Sequence, residues 1–439
     1  MTIDESASGG LGSATTRFAA DDMATSEAIV APAGAATTEM TADDPASRPV
    51  VILQAGGHRR AANGHPWIYS NEVQMEAVVR ALPPGSLVTV KRADESPLGV
   101  AMFNPHTLLA ARLLDRDAAR PIGRRFILRH LERALRLRER LYRAPYYRLV
   151  HAEADGLPGL IIDRFDSVLV VQHNAAGMDR LQTVIIDALR SLLSPDAIVL
   201  RDDSPVRLLE GLPQQVRMAL GEVSGPVELQ EGGAVFLADV LAGQKTGWFF
   251  DQRANRAFVA ELSTGARVLD LYCYSGGFAV AAARGNASSV VGIDRSEAAL
   301  ALANEAAARN GVGALCDFRR AEVFAEAASL ASAGERFDVV IADPPAFARS
   351  RRDVPAALRG YRKLARLAAS LTAPGGVVFL ASCSHNVAAA DFAEAVRRGL
   401  ADAGRTARIL REAGAGPDHP VHPALPESAY LKSLTLALD

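Results

Sequence analysis

The chain has 439 residues, of which 49% are hydrophobic and 22% charged, a balance typical of a folded protein with two or three domains. Its net charge of -2 does not by itself indicate a nucleic-acid-binding protein. Residues 1–48 carry eight acids and two bases, so the remaining chain has a net charge of +4. No apolar run is long enough to span a bilayer, so we expect no membrane partner. The three cysteines are scattered rather than spaced as metal ligands, which favours a reducing cytoplasm and no metal site.

The N-terminal segment and the region after it differ sharply in pattern. Residues 1–48 are rich in Ala, Ser, Thr, Asp and Gly without an apolar period, so we expect a disordered tail. Residues 49–118 contain short apolar runs separated by Pro and Gly, which predicts a small β-barrel. The predicted strands are 50–54, 86–91, 98–103 and 108–113.

Residues 119–233 predict a small α+β domain. It begins with a helix over 121–143, in which apolar residues alternate with arginines, seven of them between residues 124 and 140. This helix has two interpretations: a surface for RNA phosphates, or an ordinary solvated face in a chain where arginine supplies almost all the positive charge. The other predicted elements are strands 160–163, 168–172 and 197–201 and a helix over 178–192.

Residues 234–439 alternate between strands and helices, which predicts a mostly parallel, doubly wound α/β sheet. The predicted strands are 267–272, 290–294, 317–321, 337–342 and 376–382. The predicted helices are 277–284, 297–310, 323–331, 356–371 and 388–401.

The ends of the first three strands carry side chains suited to one nucleotide-like cofactor. The first ends at Asp270, and a turn of small residues then opens a helix whose N-terminus can face a ligand. This turn lacks the G-x-G-x-x-G spacing of a dinucleotide site. The second strand ends at Asp294, where a carboxylate can accept hydrogen bonds from ribose hydroxyls, and Glu322 follows the third, where it can reach an adenine amino group.

Each of these residues has a simpler interpretation, because Asp270 and Asp294 can also serve as cap or turn residues. Their order on successive strand ends nevertheless favours an S-adenosylmethionine (SAM) site over a generic nucleotide-binding fold. The candidate cofactor residues are Asp270, Tyr272, Tyr274, Ser275, Gly276, Gly277, Phe278, Asp294, Arg295, Ser296, Glu322 and Val323.

The ends of strands four and five indicate a reaction site. Strand four is followed by Asp343-Pro344-Pro345, a rigid acidic loop typical of enzymes that methylate bases or exocyclic amines, although it could be only a tight loop. Strand five is followed by Cys383, which could be a buried small residue or a nucleophile. A thiolate that adds to carbon 6 of a pyrimidine makes carbon 5 nucleophilic, and Asp343 could stabilise the ring at N3.

At this point the sequence resembles the bacterial large-subunit ribosomal RNA cytosine-C5 methyltransferases that carry an N-terminal PUA domain. The resemblance runs from about residue 50 to the C-terminus. Its matching segments are Gly64-His65-Pro66-Trp67, Ala154-Asp155-Gly156-Leu157, Gln244-Lys245-Thr246-Gly247, Asp251-Gln252-Arg253, Ser275-Gly276-Gly277-Phe278, Asp343-Pro344-Pro345, Ser382-Cys383-Ser384, Asp418-His419-Pro420 and Tyr430-Leu431-Lys432.

The resemblance implies a Rossmann-like SAM methyltransferase domain preceded by an RNA-contacting PUA-like barrel and a small α+β domain. It places Phe250, Asp251 and Arg253 against the cofactor, together with Asp343 and Pro344, and makes Cys383 the nucleophile. Two departures are Ala346, where the family commonly has lysine, and Glu322, where it commonly has aspartate. No cysteine follows Pro345, so a group other than a second thiol must take the carbon-5 proton.

Three hypotheses remain open at this stage. The first is formation of 5-methylcytosine in large-subunit (23S) rRNA, with that rRNA as the partner and a homodimer left open. The second is methylation of another RNA base or of an exocyclic nitrogen, which needs no thiol. The third is a non-catalytic RNA-binding factor for ribosome assembly that retains the cofactor fold. A small-molecule methyltransferase would leave the two preceding domains without an evident task.

Overall fold

The computed structural model describes residues 43–439, so most of the predicted tail lies outside the described residues. The last six residues of the predicted tail, 43–48, form a turn that packs against the rest of the chain. Arg48 is buried, pairs with Asp43 and donates to the carbonyl of Ala118 at 2.8 Å. The tail expectation is therefore wrong for these six residues, because a buried ion pair orders a segment whose composition is polar.

The first region forms a five-stranded sheet around one apolar cluster, where the sequence predicts a small β-barrel with four strands. The strands follow the order β1-β3-β4-β5-β2, with β1 parallel to β3 and the other pairs antiparallel. The two-residue strand β2 is too short to leave a periodic signal, and β5 begins three residues later than expected. The elements are β1 Val50–Ile52, α1 Arg59–Ala62, β2 Trp67–Ile68, α2 Ala77–Arg80, β3 Ser86–Lys91, β4 Pro97–Phe103 and β5 Ala111–Asp115.

The second region is a five-stranded sheet, β10-β9-β8-β7-β6, covered by helices. The predicted hairpin is confirmed as β7 and β8, but the single helix predicted over 178–192 is wrong: two helices meet at Leu181, whose backbone leaves the helical region. The elements are α3 Arg124–Leu141, β6 Tyr146–His151, β7 Leu160–Phe165, β8 Val168–His173, α4 Ala176–Arg180, α5 Gln182–Leu193, β9 Ala197–Asp202, α6 Val206–Leu209 and β10 Gln215–Leu220.

A hairpin of β11 (Val227–Glu231) and β12 (Ala234–Ala238) leads into the C-terminal region. Both backbone groups of Val235 bond to the side chain of Asn310, at the end of a helix of that region. A boundary at residue 234 would divide this hairpin. We therefore propose that the C-terminal domain begins before Val227.

The C-terminal region is a seven-stranded sheet in the order β15-β14-β13-β16-β17-β19-β18, flanked by helices. The first five strands are parallel, as predicted, and β19 lies antiparallel between β17 and β18. The elements are α7 Arg253–Glu261, β13 Arg267–Leu271, α8 Gly277–Arg284, β14 Ser289–Asp294, α9 Glu297–Arg309, β15 Cys316–Arg320, α10 Val323–Ser332, β16 Phe337–Ala342, α11 Val354–Leu371, β17 Thr372–Ser382, α12 Ala389–Asp402, β18 Ala407–Ala413 and β19 Lys432–Leu438.

The strand order reverses between β13 and β16, because the chain moves outward from β13 to β15 and then returns to β16. Ligands of such sheets bind at the carboxyl ends of the strands beside this reversal. Leu271 pairs with Ala342, which in turn pairs with Leu380. The loops that follow β13, β16 and β17 therefore start side by side.

Candidate active site

Asp270 lies near the end of β13 and is only 1% exposed. Its Oδ2 accepts a hydrogen bond from the N–H of Ala279 in α8 at 3.0 Å, while its Oδ1 is buried without a partner. Burial, and next the charge of Asp343, raises the pKa of Asp270 well above its usual range. A buried carboxyl with a vacant oxygen is suited to an amino or cationic group of a ligand.

The loop after Asp270 has an unusual backbone. Tyr272, Tyr274 and Gly276 all have positive φ values, of 66°, 48° and 80°. Left-handed backbone is strained for residues other than glycine, and such strain is concentrated at functional sites. The hydroxyl of Ser275 is buried in this loop without a partner, so it is, like Oδ1 of Asp270, available to a ligand. Gly277 then begins α8, whereas the ring of Phe278 packs into the core, 5.1 Å from that of Phe379.

Asp294, at the end of β14, joins two of the predicted cofactor segments. One carboxylate oxygen accepts from the N–H of Tyr274 at 3.0 Å, and the other accepts from the N–H of Ser296 at 2.9 Å. Ser296 caps α9, and Arg295 between them is exposed. The turn and cap interpretations of this segment are therefore correct. They are compatible with a bound ribose, because each oxygen can accept more than one hydrogen bond.

The segment after β15 has one exposed and one buried residue. Glu322 is exposed and caps α10 by accepting from the N–H of Ala325 at 2.8 Å. Val323 is buried in the apolar core, and its contact with the cofactor stays a prediction.

Of the three cofactor residues expected around the start of α7, only Asp251 faces the other site residues. Its Oδ2 accepts from the hydroxyl of Tyr430 and lies 3.6 Å from Nζ of Lys245, and its Oδ1 has no partner. Burial opposes ionisation, but Lys245 and other neighbours outweigh it and lower the pKa of Asp251. The side chains of the other two make different contacts.

Phe250 is buried, with its ring 5.2 Å from that of Phe165 in the middle region. Arg253 bonds to the carbonyl of Tyr146, and its Nε lies 3.3 Å from Glu231. These two side chains join the C-terminal region to the middle region, because Phe165 and Tyr146 both belong to the latter.

Asp343 and Cys383 lie close together on neighbouring loops. The sulfur of Cys383 is 4.0 Å from the carbonyl oxygen of Pro344, the residue after Asp343. Both side chains are partly exposed, so a substrate can reach them. Burial, and next the charge of Asp251, raises the pKa of Asp343 to about 7. Burial also raises the pKa of the Cys383 thiol, while the nearby charge of Lys245 lowers it.

Lys432 fixes the backbone of the loop that follows Cys383. Its ammonium donates to the carbonyls of Ser384 at 2.6 Å, Val387 at 2.7 Å and Tyr430 at 3.2 Å. An ammonium has three donors, so these three bonds satisfy it fully. The hydroxyl of Ser384 also accepts from the N–H of Ala348 at 3.2 Å, which ties this loop to the one that follows β16.

The middle region supports the site through buried ion pairs. Arg148 forms two hydrogen bonds with Asp163, at 2.8 and 2.9 Å, and Asp163 accepts from the hydroxyl of Thr246 at 2.5 Å. The N–H of Arg148 donates to Asp418, which is fully buried, and Arg138 donates to the carbonyl of Asp418 at 3.0 Å. The segments that carry Lys245 and Tyr430 are therefore anchored outside their own sheet.

Three further residues contact this site without having had a predicted role: Lys245, Tyr430 and Lys432, all in segments that carry the family resemblance. One signal was present: the chain has only four lysines, and two of them meet at this site. In a chain that otherwise uses arginine, a lysine indicates a place for a compact charge with three donors.

The residues present fit SAM. Asp270, Asp251 and Ser275 each leave a buried oxygen without a partner, and these acceptors suit the amino and hydroxyl groups of such a molecule. Over residues 43–439, no three His, Cys, Asp or Glu side chains are grouped to hold a metal ion. None of the helices in the same range is both long and apolar enough to cross a bilayer.

Comparison with known proteins agrees with this geometry. Residues 215–435 match the model of the S-adenosylmethionine-dependent methyltransferase family, and residues 51–116 match a PUA-like domain. The chain is 38% identical over 379 residues to a ribosomal RNA large subunit methyltransferase I of Aeromonas hydrophila, which covers 85% of this chain and 95% of that protein. The corresponding protein of Aeromonas salmonicida is 37% identical over 377 residues, or 85% of this chain and 95% of that protein.

Two solved structures share the fold. One, from Streptococcus mutans and assigned as a SAM-dependent methyltransferase, has a TM-score of 0.75 and 18% identity. The other, assigned as a methyltransferase and complexed with SAH, has a TM-score of 0.76 and 18% identity. Each aligns over 89% of this chain and 100% of its own. The chain therefore belongs to the family of S-adenosylmethionine-dependent methyltransferases that includes the ribosomal RNA large subunit methyltransferase I proteins.

Proposed function

We propose that this enzyme forms 5-methylcytosine in large-subunit (23S) rRNA through a covalent intermediate on Cys383, and that it acts in the cytoplasm. The observation that carries the chemistry is the approach of the Cys383 sulfur to the loop of Asp343, at 4.0 Å from the carbonyl of Pro344. The names of the curated relatives support the choice of rRNA as substrate.

SAM supplies an electrophilic methyl group when it is bound. The chain provides the activation of the base, because carbon 5 of cytosine is a poor nucleophile. The Cys383 thiolate forms a bond to carbon 6, and the carboxyl of Asp343 donates its proton to N3, which keeps the ring neutral. Carbon 5 then takes the methyl group, SAH is the leaving group, and N3 returns its proton to the carboxylate of Asp343. Transfer of the carbon-5 proton to a base, which can be water, expels the thiolate, so the product keeps its double bond and both Cys383 and Asp343 are regenerated.

The electrostatics of the site suit these roles. A carboxyl with a pKa of about 7 is largely protonated at slightly acidic pH and can donate to N3. Lys245 lies 3.6 Å from Asp251 and lowers the pKa of the Cys383 thiol against the effect of burial. The positive charge of Lys245 therefore favours the thiolate that the reaction needs.

The test compares Cys383→Ala with Cys316→Ala, a matched cysteine at the start of β15. Each variant is incubated with SAM and an rRNA transcript, and nucleosides are separated by mass spectrometry. We expect 5-methylcytidine from the wild type and Cys316→Ala, and none from Cys383→Ala. RNA containing 5-fluorocytidine cannot lose a proton from carbon 5, so it should remain covalently bound to every form except Cys383→Ala.

The same measurements separate the alternatives. Undiminished methylation by Cys383→Ala would refute the covalent route, and an N-methylated product would identify an exocyclic nitrogen or another base as the target. A protein that binds RNA but not SAM in calorimetry would be a ribosome-assembly factor. Nucleoside mapping of rRNA from a strain that lacks this protein would then locate the target nucleotide.

A further inference from the structure

Five exposed arginines form a single stripe along helix α3. Their spacings are four, four, three and four residues, which keep side chains on one face of an α-helix. At 100° and 1.5 Å per residue, the five lie within an arc of about 80° and extend over about 22 Å. We call this set the arginine stripe. Its members are Arg125, Arg129, Arg133, Arg136 and Arg140.

The opposite face of α3 packs on the middle domain. Ile127, Leu131 and Ala134 are buried there, and Arg138 is fully buried with both its terminal nitrogens 2.7 Å from Asp155. The helix is thus fixed in orientation by an apolar face and one buried ion pair. The arginine stripe cannot turn inward, so its charges remain at the surface.

The stripe lacks the acidic partners that other surface arginines have. Within residues 43–439, none of its five members forms an ion pair, and only Arg133 makes a hydrogen bond, to the carbonyl of Asp155. On α12, by contrast, Arg397 and Arg398 both pair with Glu394, at 2.6 and 2.7 Å.

Glu132 and Glu139 lie beside this face of α3, but within residues 43–439 neither forms an ion pair with a member of the stripe. An arginine-rich genome explains how many arginines a chain has, but not why five of them share one helix face without pairing. Like charges at these spacings destabilise an isolated helix by a few tenths of a kcal/mol per pair. A polyanion that lies along the face would remove this repulsion. The spacing of the cations, about 4.5 to 6 Å along the axis, matches a ligand with regularly repeated negative charges.

We infer that the arginine stripe binds the phosphate backbone of the RNA substrate. The inference rests on the proposed function, because it takes RNA as the substrate. The inner side of α3 contacts the C-terminal region, since Arg138 donates to the carbonyl of Asp418, twelve residues before Tyr430. Glu153, two residues before the Asp155 that pairs with Arg138, accepts a hydrogen bond from the ring N–H of Trp67 in the PUA-like domain at 2.9 Å. The stripe therefore lies on a helix whose other face contacts the C-terminal region, and Arg133 of the stripe bonds to the same short segment, through the carbonyl of Asp155.

The test neutralises two members of the stripe in Arg129→Gln/Arg136→Gln. Glutamine has a helix propensity close to that of arginine, so α3 should persist. The control is Arg397→Gln/Arg398→Gln, which changes the net charge equally but removes arginines that already have an acidic partner. Binding of an rRNA transcript is measured at several salt concentrations. Each lost phosphate contact lowers the slope of log K against log salt by roughly 0.7 for single strands and 0.9 for duplexes.

We expect the stripe variant to lose roughly 1.4 to 1.8 from that slope, which corresponds to about 25-fold weaker binding or more at 0.1 M salt. The control should keep the wild-type slope. The KM for RNA should rise in the stripe variant while kcat at saturating RNA and the affinity for SAM stay unchanged. An unchanged slope in the stripe variant would overturn the inference. A loss confined to assembled subunits, with naked rRNA bound normally, would also overturn it and point to a protein partner.

The outcome is separable from that of the proposed function. Cys383→Ala should keep the full salt slope, because it leaves the stripe intact. If no 5-methylcytidine forms while Arg129→Gln/Arg136→Gln still has a reduced salt slope, RNA binding by the stripe is supported and the proposed reaction is refuted. If 5-methylcytidine forms and the slope of the stripe variant is unchanged, the chemistry stands and the surface falls.

Discussion

The pKa of Asp343 leads to a prediction about the pH dependence of methyl transfer. With a pKa of about 7 in the free protein, roughly 90% of this carboxyl is protonated at pH 6 and roughly 10% at pH 8. The thiol of Cys383 titrates above its usual pKa of 9, so the thiolate becomes more abundant throughout this range. The reaction needs the neutral carboxyl and the thiolate together, and their product is almost constant between the two pKa values.

The wild type should therefore gain about tenfold in rate per pH unit below pH 7 and change little between pH 7 and 8.5. Asp343→Asn removes the proton that is lost near pH 7, so its rate should follow the thiolate alone and rise about 30-fold between pH 7 and 8.5. We expect a lower maximum as well, because the amide holds N3 without donating a proton. The assay is methylation of an rRNA transcript at SAM concentrations well below its KM, because kcat/KM reports the pKa of the free enzyme rather than that of its SAM complex.

A direct measurement accompanies the kinetics. A carboxyl carbon that titrates near pH 7 should be present in the NMR spectrum of the free wild type and missing from Asp343→Asn. SAM should lower this pKa and SAH should lower it less, because only SAM carries the sulfonium charge. A flat rate profile above pH 7 in Asp343→Asn would refute this prediction. So would a carboxyl signal that titrates near pH 7 in both the wild type and Asp343→Asn.

Three further predictions concern the structure of the site. Asp270→Asn should raise the melting temperature of the cofactor-free protein, because the amide avoids the cost of ionising a buried carboxyl. The pKa of Asp270 is raised in the folded protein, so the wild type loses stability as the pH rises. The gain in melting temperature should therefore be larger at pH 8 than at pH 5. Calorimetry should show SAM binding weakened by about 1.5–3 kcal/mol in that variant. Lys432→Met leaves three carbonyls without their donor, so kcat should fall about tenfold, with SAM affinity unchanged and faster hydrogen exchange near Val387. Gly276→Ala should lower the free energy of unfolding in urea by about 1–3 kcal/mol, because φ is 80° and the new Cβ would lie 2.9 Å from that of Ala303; a change below 0.5 kcal/mol would contradict the strain argument.

The parallel part of the large sheet could be predicted from the sequence because its strands are buried on both faces and its helices are regularly spaced. Strand β16 and helix α8 were predicted with the bounds that the structure has. The two C-terminal strands were missed, because β18 has mostly exposed or half-buried residues and β19 follows a long irregular segment.

Strand β6 was missed for a different reason. It contains Arg148, which is buried and paired with Asp163, so a charged residue occupies a position where a pattern search expects an apolar one. The same argument applies to Arg138 within α3, which is indistinguishable by spacing from the exposed arginines around it. Hydrophobic periodicity cannot detect a buried ion pair, because each charged residue counts as polar in the sequence and is buried only through pairing with a residue that is distant in the chain.

The reaction site was more accessible to sequence reasoning than the cofactor site. Strand order alone brings Asp343 and Cys383 to adjacent loops, and the structure has them there. The side chains of Phe250 and Arg253 could not be oriented in this way, since their contacts come from the middle region and from the β11–β12 hairpin. Their cofactor contacts remain predictions, as do those of the other proposed site residues.

The contacts of Asp418 bear on how this enzyme can be dissected. This carboxylate belongs to the C-terminal region, yet its neighbours Arg138 and Arg148 lie 280 and 270 residues earlier. A fragment of residues 234–439 would leave behind the N–H of Arg148, which donates to the carboxylate of Asp418, and the guanidinium of Arg138, which donates to its carbonyl. A buried acceptor that loses its donor destabilises by about 1–3 kcal/mol. Gene shuffling that moved the methyltransferase domain alone would therefore leave the segment before β19 without its support from the middle domain.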